Sequence, residues 1–257
     1  MLEAMRENRT KKLLRDGKTA FGSFVRYPDP TLVEVMGYHG WDFFIFDGEH
    51  ATLEPQSCEN LVRAAELQGI TPIVRVPVNQ PHVILRLLDT GAQGAQVPWV
   101  QTPEDAERAV QSVKYQPRGA RGLAGVRAAD YGERGGFGEY VRRANEETLV
   151  VVQVESATAV GHVEAIAATD AVDVVFLGPT DLSNSLGLPG ELSHPTVVEH
   201  LERAAAAILA AGKVLGVTVS DAETAKRWMD RGARYVTTGV DPMLAAGTSA
   251  FLGALRA

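Results

Sequence analysis

Asp47, Gly48, Glu49 and His50 follow the apolar run FFIF at 43–46. Titratable side chains packed this closely, where a buried strand leaves the core, suit proton transfer. An unperturbed imidazole titrates near about 6.5, so His50 is the candidate base, and Asp47, earlier in the same stretch, is placed to orient it. The alternative for His50 is an ordinary surface histidine in a loop. Glu155 and Asp181 end two further apolar runs, VVVQVE and DVVFLGPTD. Carboxylates at neighbouring strand ends repel unless a cation lies between them. A hard divalent ion accepts carboxylate oxygens and keeps positions for water and substrate. The alternative for Asp181 is the cap of the helix that follows it. Arg75, in PIVRV, puts a cation where burial is costly without an anion. A substrate carboxylate or enolate answers that need, as does an ion pair with Glu49 or Glu155.

These residues need a frame that brings strand ends together. After a helical pattern at 2–15, β-branched runs predict strands at 20–26, 43–47, 72–76, 94–98, 149–155, 172–178, 214–219 and 235–240. Helical patterns fill 30–39, 55–68, 81–90, 103–114, 157–168, 195–211, 221–231 and 242–256, several ending on glycine: Gly40, Gly69, Gly91, Gly212 and Gly232. This alternation over 257 residues predicts one closed (β/α)8 TIM barrel domain spanning 1–257. A doubly wound open sheet is the alternative, but no G-x-G-x-x-G follows the first strand and no Walker A sequence is present. The stretch 116–146, rich in Gly and Arg, reads as a long irregular loop. Barrel active sites form at the C-terminal ends of the strands. Those ends carry Arg26, Asp47–His50, Arg75, Trp99, Gln153 and Glu155, Thr180 and Asp181, Ser220 and Asp241.

Composition excludes other classes. Net charge is −7 and no basic run is interleaved with aromatics, so no nucleic-acid partner is expected. The N-terminal stretch is charged, without the apolar core of a secretory signal, and no apolar run approaches the ~20 residues a membrane span needs. The single cysteine, Cys58, fits a buried position in a reducing cytoplasm. The lysines are Lys11, Lys12, Lys18, Lys114, Lys213 and Lys226, none at the C-terminal end of a predicted strand. A Schiff base needs a reactive lysine in the site, so carbanion chemistry here would fall to a metal and Arg75.

The motifs FDGEHA (46–51), VRVP (74–77), LLDTGAQG (87–94), VPWVQT (97–102), YQPRGARG (115–122), VQVES (152–156) and above all LGPTDLSNSLG (177–187) resemble the HpcH/HpaI family of metal-dependent (class II) pyruvate aldolases. That family includes 4-hydroxy-2-oxoheptanedioate and 5-keto-4-deoxy-glucarate aldolases, and the likeness spans essentially the whole chain. The resemblance implies Glu155 and Asp181 as metal ligands for Mg2+, Mn2+ or Co2+, His50 as base with Asp47 as its dyad partner, and Arg75 as holder of the pyruvoyl group. It implies Gln153 beside the metal and the Gly178–Pro179–Thr180 backbone as receiver of the substrate carboxylate; Glu49, next to His50, is placed to bind a water of the metal shell. It further implies a C-terminal helix exchanged between subunits of a homo-oligomer, usually a hexamer. Asp89 would lie near the subunit contact, and Leu123 and Arg127 in RGLAGVR would reach a neighbour's site. The arginines of that loop would favour acidic aldehydes; the alternative is that they pair with surface carboxylates.

The expected reaction is reversible cleavage of a 4-hydroxy-2-oxo acid to pyruvate, or a related 2-oxo acid, and an aldehyde. Its partners are therefore small molecules. Remaining alternatives are a citrate lyase β-like enzyme acting on acyl-CoA thioesters, an enolate-using synthase or decarboxylase on the same core, and a non-catalytic barrel that binds a metal or ligand.

Overall fold

The computed structural model describes residues 7–256. Eight parallel strands close into a barrel in sequence order: β1 (Ala20–Val25), β2 (Phe43–Asp47), β3 (Thr71–Arg75), β4 (Gly94–Val97), β5 (Leu149–Val154), β6 (Val174–Leu177), β7 (Val214–Thr218) and β8 (Tyr235–Gly239), with β8 pairing back onto β1. The first helix is α1 (Arg9–Arg15); the expected helical residues 2–6 lie outside the described residues. The helices that follow are α2 (Pro30–Gly37), α3 (Pro55–Leu67), α4 (Pro81–Leu88), α5 (Pro103–Val113), α6 (Phe137–Glu147), α7 (Ala157–Gly161), α8 (Val163–Ala168), α9 (Pro179–Ser185), α10 (Pro195–Ala210), α11 (Ala222–Asp230) and α12 (Val240–Arg256). The (β/α)8 expectation holds, and the open-sheet alternative falls with the β1–β8 pairing.

Six of these helices, α2, α3, α4, α5, α9 and α10, start on proline. Its fixed φ suits the first turn, where a missing N–H is no loss. The five helix-ending glycines all take positive φ.

Alternate strand residues face in and out. Phe43, Ile45, Ile73, Leu149, Val151, Val174, Phe176 and Tyr235 form the inner core. Phe44, Phe46, Val74, Val150, Val152, Val175 and Val217 face the helices. The barrel closes tightly because Gly22 yields its side-chain space to the Phe43 ring. Leu14 of α1 joins the inner core, and Asn8 Nδ2 donates to the carbonyls of Gln93 and Glu147, so α1 covers the N-terminal mouth.

Two expectations need correction. The 116–146 stretch is not irregular throughout: it holds a 3-10 turn, Arg127–Gly132, and α6, whose Tyr140 and Ala144 bury against Tyr115 and Ala129. The helical spacing of Tyr140, Ala144 and Asn145 is hidden among glycines and arginines. The predicted helix at 157–168 is broken into α7 and α8 at His162, next to Gly161, where the imidazole Nδ1 pairs with the Gln101 carbonyl at 2.9 Å.

Candidate active site

Arg75 ends β3 and lies in register with Asp47 of β2, so the two side chains leave adjacent strands on the same inward face. Arg75 Nε donates to Asp47 Oδ1 at 2.9 Å and Nη2 to Oδ2 at 2.6 Å, a two-pronged pair. Its guanidinium lies over the Phe24 ring, 4.8 Å from the centroid. Nη1 lies 3.0 Å from Glu49 Oε2. That oxygen is buried yet accepts no well-directed hydrogen bond.

Asp47 is fully buried and also accepts from the backbone N–H groups of Glu49 and His50, at 3.0 and 3.2 Å, and from Arg26 Nε at 3.3 Å. Burial pushes its carboxyl up, but the Arg75 and backbone bonds outweigh burial and hold it below the ordinary range. The expected Asp47–His50 side-chain dyad is therefore not formed. Only the His50 backbone reaches Asp47, because the Arg75 fork and the loop N–H groups occupy the carboxylate. The His50 imidazole is half exposed, and its Nε2 lies 3.7 Å from Glu49 Oε2. Burial, with the neighbouring charges of Asp47 and Asp181, pushes Glu49 up to about 7 against the opposing pull of Arg75.

The sign of the Asp47 shift gives a first prediction. Its folded value is depressed, so the stability it contributes is complete above the unfolded aspartate value of about 3.9 and is lost as pH falls through the folded value. Urea melts from about pH 6 down to about pH 2 should show wild type losing stability faster over the acid limb than Asp47→Asn. Parallel acid limbs would contradict the assignment.

Glu155 follows β5 and is 2% exposed. Its Oε1 accepts the Trp99 backbone N–H at 2.7 Å, and its Oε2 accepts Gln153 Nε2 at 2.6 Å. Trp99 holds this N–H in place with φ of +53°, a left-handed conformation that bulky residues rarely adopt. On the other side, a Cβ on Gly178 would sit 2.7 Å from both Glu155 Cβ and Oε2, so glycine there clears the carboxylate. Burial pushes Glu155 up to about 7, reinforced by the charges of Glu49 and Asp181. Asp181 lies within the first turn of α9, three residues past the N-cap Gly178, so it is not itself the N-cap residue that the helix-cap alternative requires.

A cavity of about 890 Å3 at the C-terminal mouth is lined by Arg26, His50, Arg75, Gln153, Glu155, Gly178, Pro179, Thr180 and Asp181. The structure thus brings together His50, Arg75, Gln153, Glu155, the 178–180 segment and Asp181. Asp47 and Glu49 stand directly behind Arg75. None of the six lysines lines this cavity. Burial pushes Lys114 down to about 7, a value suited to Schiff-base chemistry, but its Nζ donates to the carbonyls of Asn145 and Thr148 at the start of β5, at the opposite end of the barrel. A smaller cavity, about 470 Å3, lies at that far end among Lys11, Arg15, Lys213, Arg234 and Asp173, remote from every predicted site residue.

Asp89, Leu123 and Arg127 are not brought to this mouth. Arg121 Nη2 pairs with Asp89 at 2.8 Å. Arg127 pairs with Glu66 at 2.6 Å and donates to the Thr90 carbonyl at 2.8 Å, which fixes its charge on the barrel's outer helices. Leu123 is exposed. Sequence reasoning missed the Trp99 backbone N–H on Glu155, and the bonds that join Gln96 to Gln153 and Tyr235 to Gln96. Gln96 carried a readable signal, since it occupies an inward position of β4, two residues beyond Gly94.

A model of the HpcH/HpaI aldolase/citrate lyase family matches residues 20–247. The chain is 37% identical over 238 residues to a 4-hydroxy-2-oxovalerate aldolase of Novosphingobium aromaticivorans, covering 91% of this chain and 88% of that one. It is 35% identical to a 5-keto-4-deoxy-D-glucarate aldolase of Salmonella paratyphi A, covering 100% and 96%. A crystal structure of an HpcH/HpaI aldolase/citrate lyase family protein from Burkholderia cenocepacia superposes with a TM-score of 0.92 at 36% identity, covering 97% of this chain and 100% of that one.

Proposed function

The chain belongs to the HpcH/HpaI aldolase/citrate lyase family, and from that membership we propose that it is a divalent-metal-dependent aldolase, cleaving a 4-hydroxy-2-oxo acid reversibly to pyruvate, or a related 2-oxo acid, and an aldehyde. The observation that carries this reading is the convergence of the Glu155, Asp181 and Glu49 carboxylates on one mouth beside Arg75 and His50. Arg75 already pairs with Glu49, whereas Glu155 has only neutral donors on its oxygens. Among the described residues no group of three or more His, Cys, Asp and Glu is spaced to enclose an ion. Two carboxylates with the rest of the shell open fit a hard cation that takes water and substrate oxygens. Glu155 and Asp181 would hold Mg2+, Mn2+ or Co2+, with Gln153 alongside. When bound, the ion supplies Lewis-acid polarisation of the 2-oxo group.

The residues divide the remaining work. Arg75 donates to the oxygen on which negative charge grows as the C3–C4 bond breaks. Asp47 holds the Nε and Nη2 edge of its guanidinium and Glu49 lies against Nη1, which fixes the plane of the group at the mouth. His50 takes the C4 hydroxyl proton. The C3–C4 electron pair passes into the pyruvate enolate as C4 becomes the aldehyde carbonyl, and the imidazolium returns its proton to C3. Glu49, 3.7 Å from His50 Nε2, replaces Asp47 as the carboxylate that steadies the ring. The 178–180 segment receives the substrate carboxylate. The test is pyruvate release from a panel of 4-hydroxy-2-oxo acids, with aldehyde-dependent turnover in reverse and no requirement for coenzyme A. Activity only on acyl-CoA thioesters would replace this reading with the lyase alternative.

Assembly is part of the proposal. In the described part of α12 only Val240 is buried, while Leu244, Phe251 and Leu255 are more than half exposed. A long helix with its apolar side chains in solvent lacks a partner surface. A second copy of the chain, taking α12 in exchange, supplies it, and Leu123, exposed in the loop, would reach a neighbour. Light scattering should give an assembly larger than a dimer, a hexamer by the family pattern, and deletion of residues 241–257 should reduce its size. A fully active monomer would contradict the exchange. No described helix is long and apolar enough to cross a membrane, and the free, buried Cys58 suits a cytoplasmic protein.

A further inference from the structure

Glu155 is the terminus of a chain of buried side chains that crosses the barrel. Tyr235 of β8 donates its hydroxyl to Gln96 Oε1 at 3.3 Å. Gln96 Nε2 of β4 donates to Gln153 Oε1 at 2.5 Å, and Gln153 Nε2 donates to Glu155 Oε2 at 2.6 Å. All four residues are 2% exposed or less. Their surroundings are the apolar inner core of Phe43, Ile73, Val151 and Phe176.

The carboxylate end dictates the direction of every bond. Holding a cation requires Glu155 to be ionised, and an ionised carboxylate only accepts, so Gln153 must present its amino group. The Gln153 oxygen then needs a donor, which is the Gln96 amino group, and the Gln96 oxygen needs the Tyr235 hydroxyl. The Tyr235 ring is fixed by stacking on Phe43 at 4.3 Å and by an edge contact with Phe176 at 6.1 Å. Burial pushes its hydroxyl well above the ordinary tyrosine value, so it stays protonated as a donor. The other Glu155 oxygen is held by the Trp99 N–H from a left-handed backbone, and Gly178 walls the third side. What remains open is the face toward the cavity.

We propose that Tyr235 and Gln96 are positioning residues that fix the Glu155 rotamer through Gln153, and thereby set the affinity of the mouth for a divalent cation. This rests on the metal reading above. The competing explanation is that the polar groups merely satisfy one another inside the core. It predicts changes in melting temperature without changes in metal affinity.

The experiment is isothermal titration of Mn2+ into the full chain, beside thermal melts recorded without metal. The proteins are wild type, Glu155→Gln, Gln96→Leu, Gln96→Glu and Tyr235→Phe. Gln96→Leu is expected to weaken Mn2+ by about 10–100-fold, the usual range when a partner of a ligating residue is removed. Gln96→Glu is expected to do at least as much, because a carboxylate facing Gln153 turns the Gln153 oxygen onto Glu155. Tyr235→Phe, at the far end, should give a smaller loss of several-fold. It removes one oxygen and keeps both ring contacts, so it decides the matter alone if the Gln96 variants fail to fold. A Kd within twofold of wild type in Tyr235→Phe and in any folded Gln96 variant, while Glu155→Gln binds poorly, overturns the positioning chain and leaves the metal reading intact. Unchanged binding in Glu155→Gln overturns both.

Discussion

Replacing Arg75 with methionine should lower kcat/KM for aldol cleavage by about 10²–10³, the usual loss when one preorganised donor to a developing oxyanion is removed. The same change should destabilise the fold. Asp47 is fully buried and takes two of its bonds from Arg75. Removing one partner of a buried ion pair costs about 3–5 kcal/mol, because the other charge is stranded. Arg75→Lys keeps the charge but not the fork, and should recover part of the stability and little of the rate. Urea melts and steady-state kinetics on the two variants separate these effects. A methionine variant as stable as wild type would show that the Asp47–Arg75 pair is not what holds the mouth together.

The second large effect is expected at His50, with the opposite signature. His50→Ala should lose about 10²–10⁴ in kcat, the contribution of a positioned general base. The side chain is 52% exposed and the nearest charged partner of its ring among the described residues is Glu49 at 3.7 Å, so stability should move by no more than about 0.5 kcal/mol. Metal affinity should be unchanged, since the proposed ligands, Glu155 after β5 and Asp181 in α9, stand apart from the end of β2. Near wild-type turnover by a folded variant that binds metal would remove His50 from the base role. A Glu49→Gln variant then distinguishes the two candidate orienters. It should lower the rate if Glu49 steadies the imidazole, and the pairing of Asp47 with Arg75 should survive it.

The barrel was legible because its strands are short and β2, β3, β4, β5 and β6 are buried along their whole length, so that β2 and β5 in particular appear as apolar runs closed by a charged residue. The β2 boundaries match the predicted 43–47 without adjustment. The identities of the mouth residues were legible for the same reason: a charge that interrupts FFIF or VVVQV has nowhere to go but the strand end. What the sequence hid was pairing. Asp47 and Arg75 are separated by 28 residues in the chain and meet only through the β2–β3 register, whereas His50, nearby in sequence, is turned away. Loop arginines were equally ambiguous, since charge alone does not separate a substrate contact from the Arg127–Glu66 and Arg121–Asp89 pairs that the fold makes. The Gln96–Gln153 link was hidden because single amides inside apolar runs gain meaning only when two strands place them side by side.

The most direct test of the account is metal removal followed by reductive trapping. The protein is treated with chelator, assayed, reloaded with Mg2+, Mn2+ or Co2+, and in parallel reduced with borohydride in the presence of pyruvate. With no lysine at the cavity and the Glu155 and Asp181 carboxylates among its lining, activity should vanish with the metal and return with it, and the borohydride-treated chain should keep its original mass. Full activity after chelation, or a pyruvate adduct reduced onto a lysine, would contradict the account.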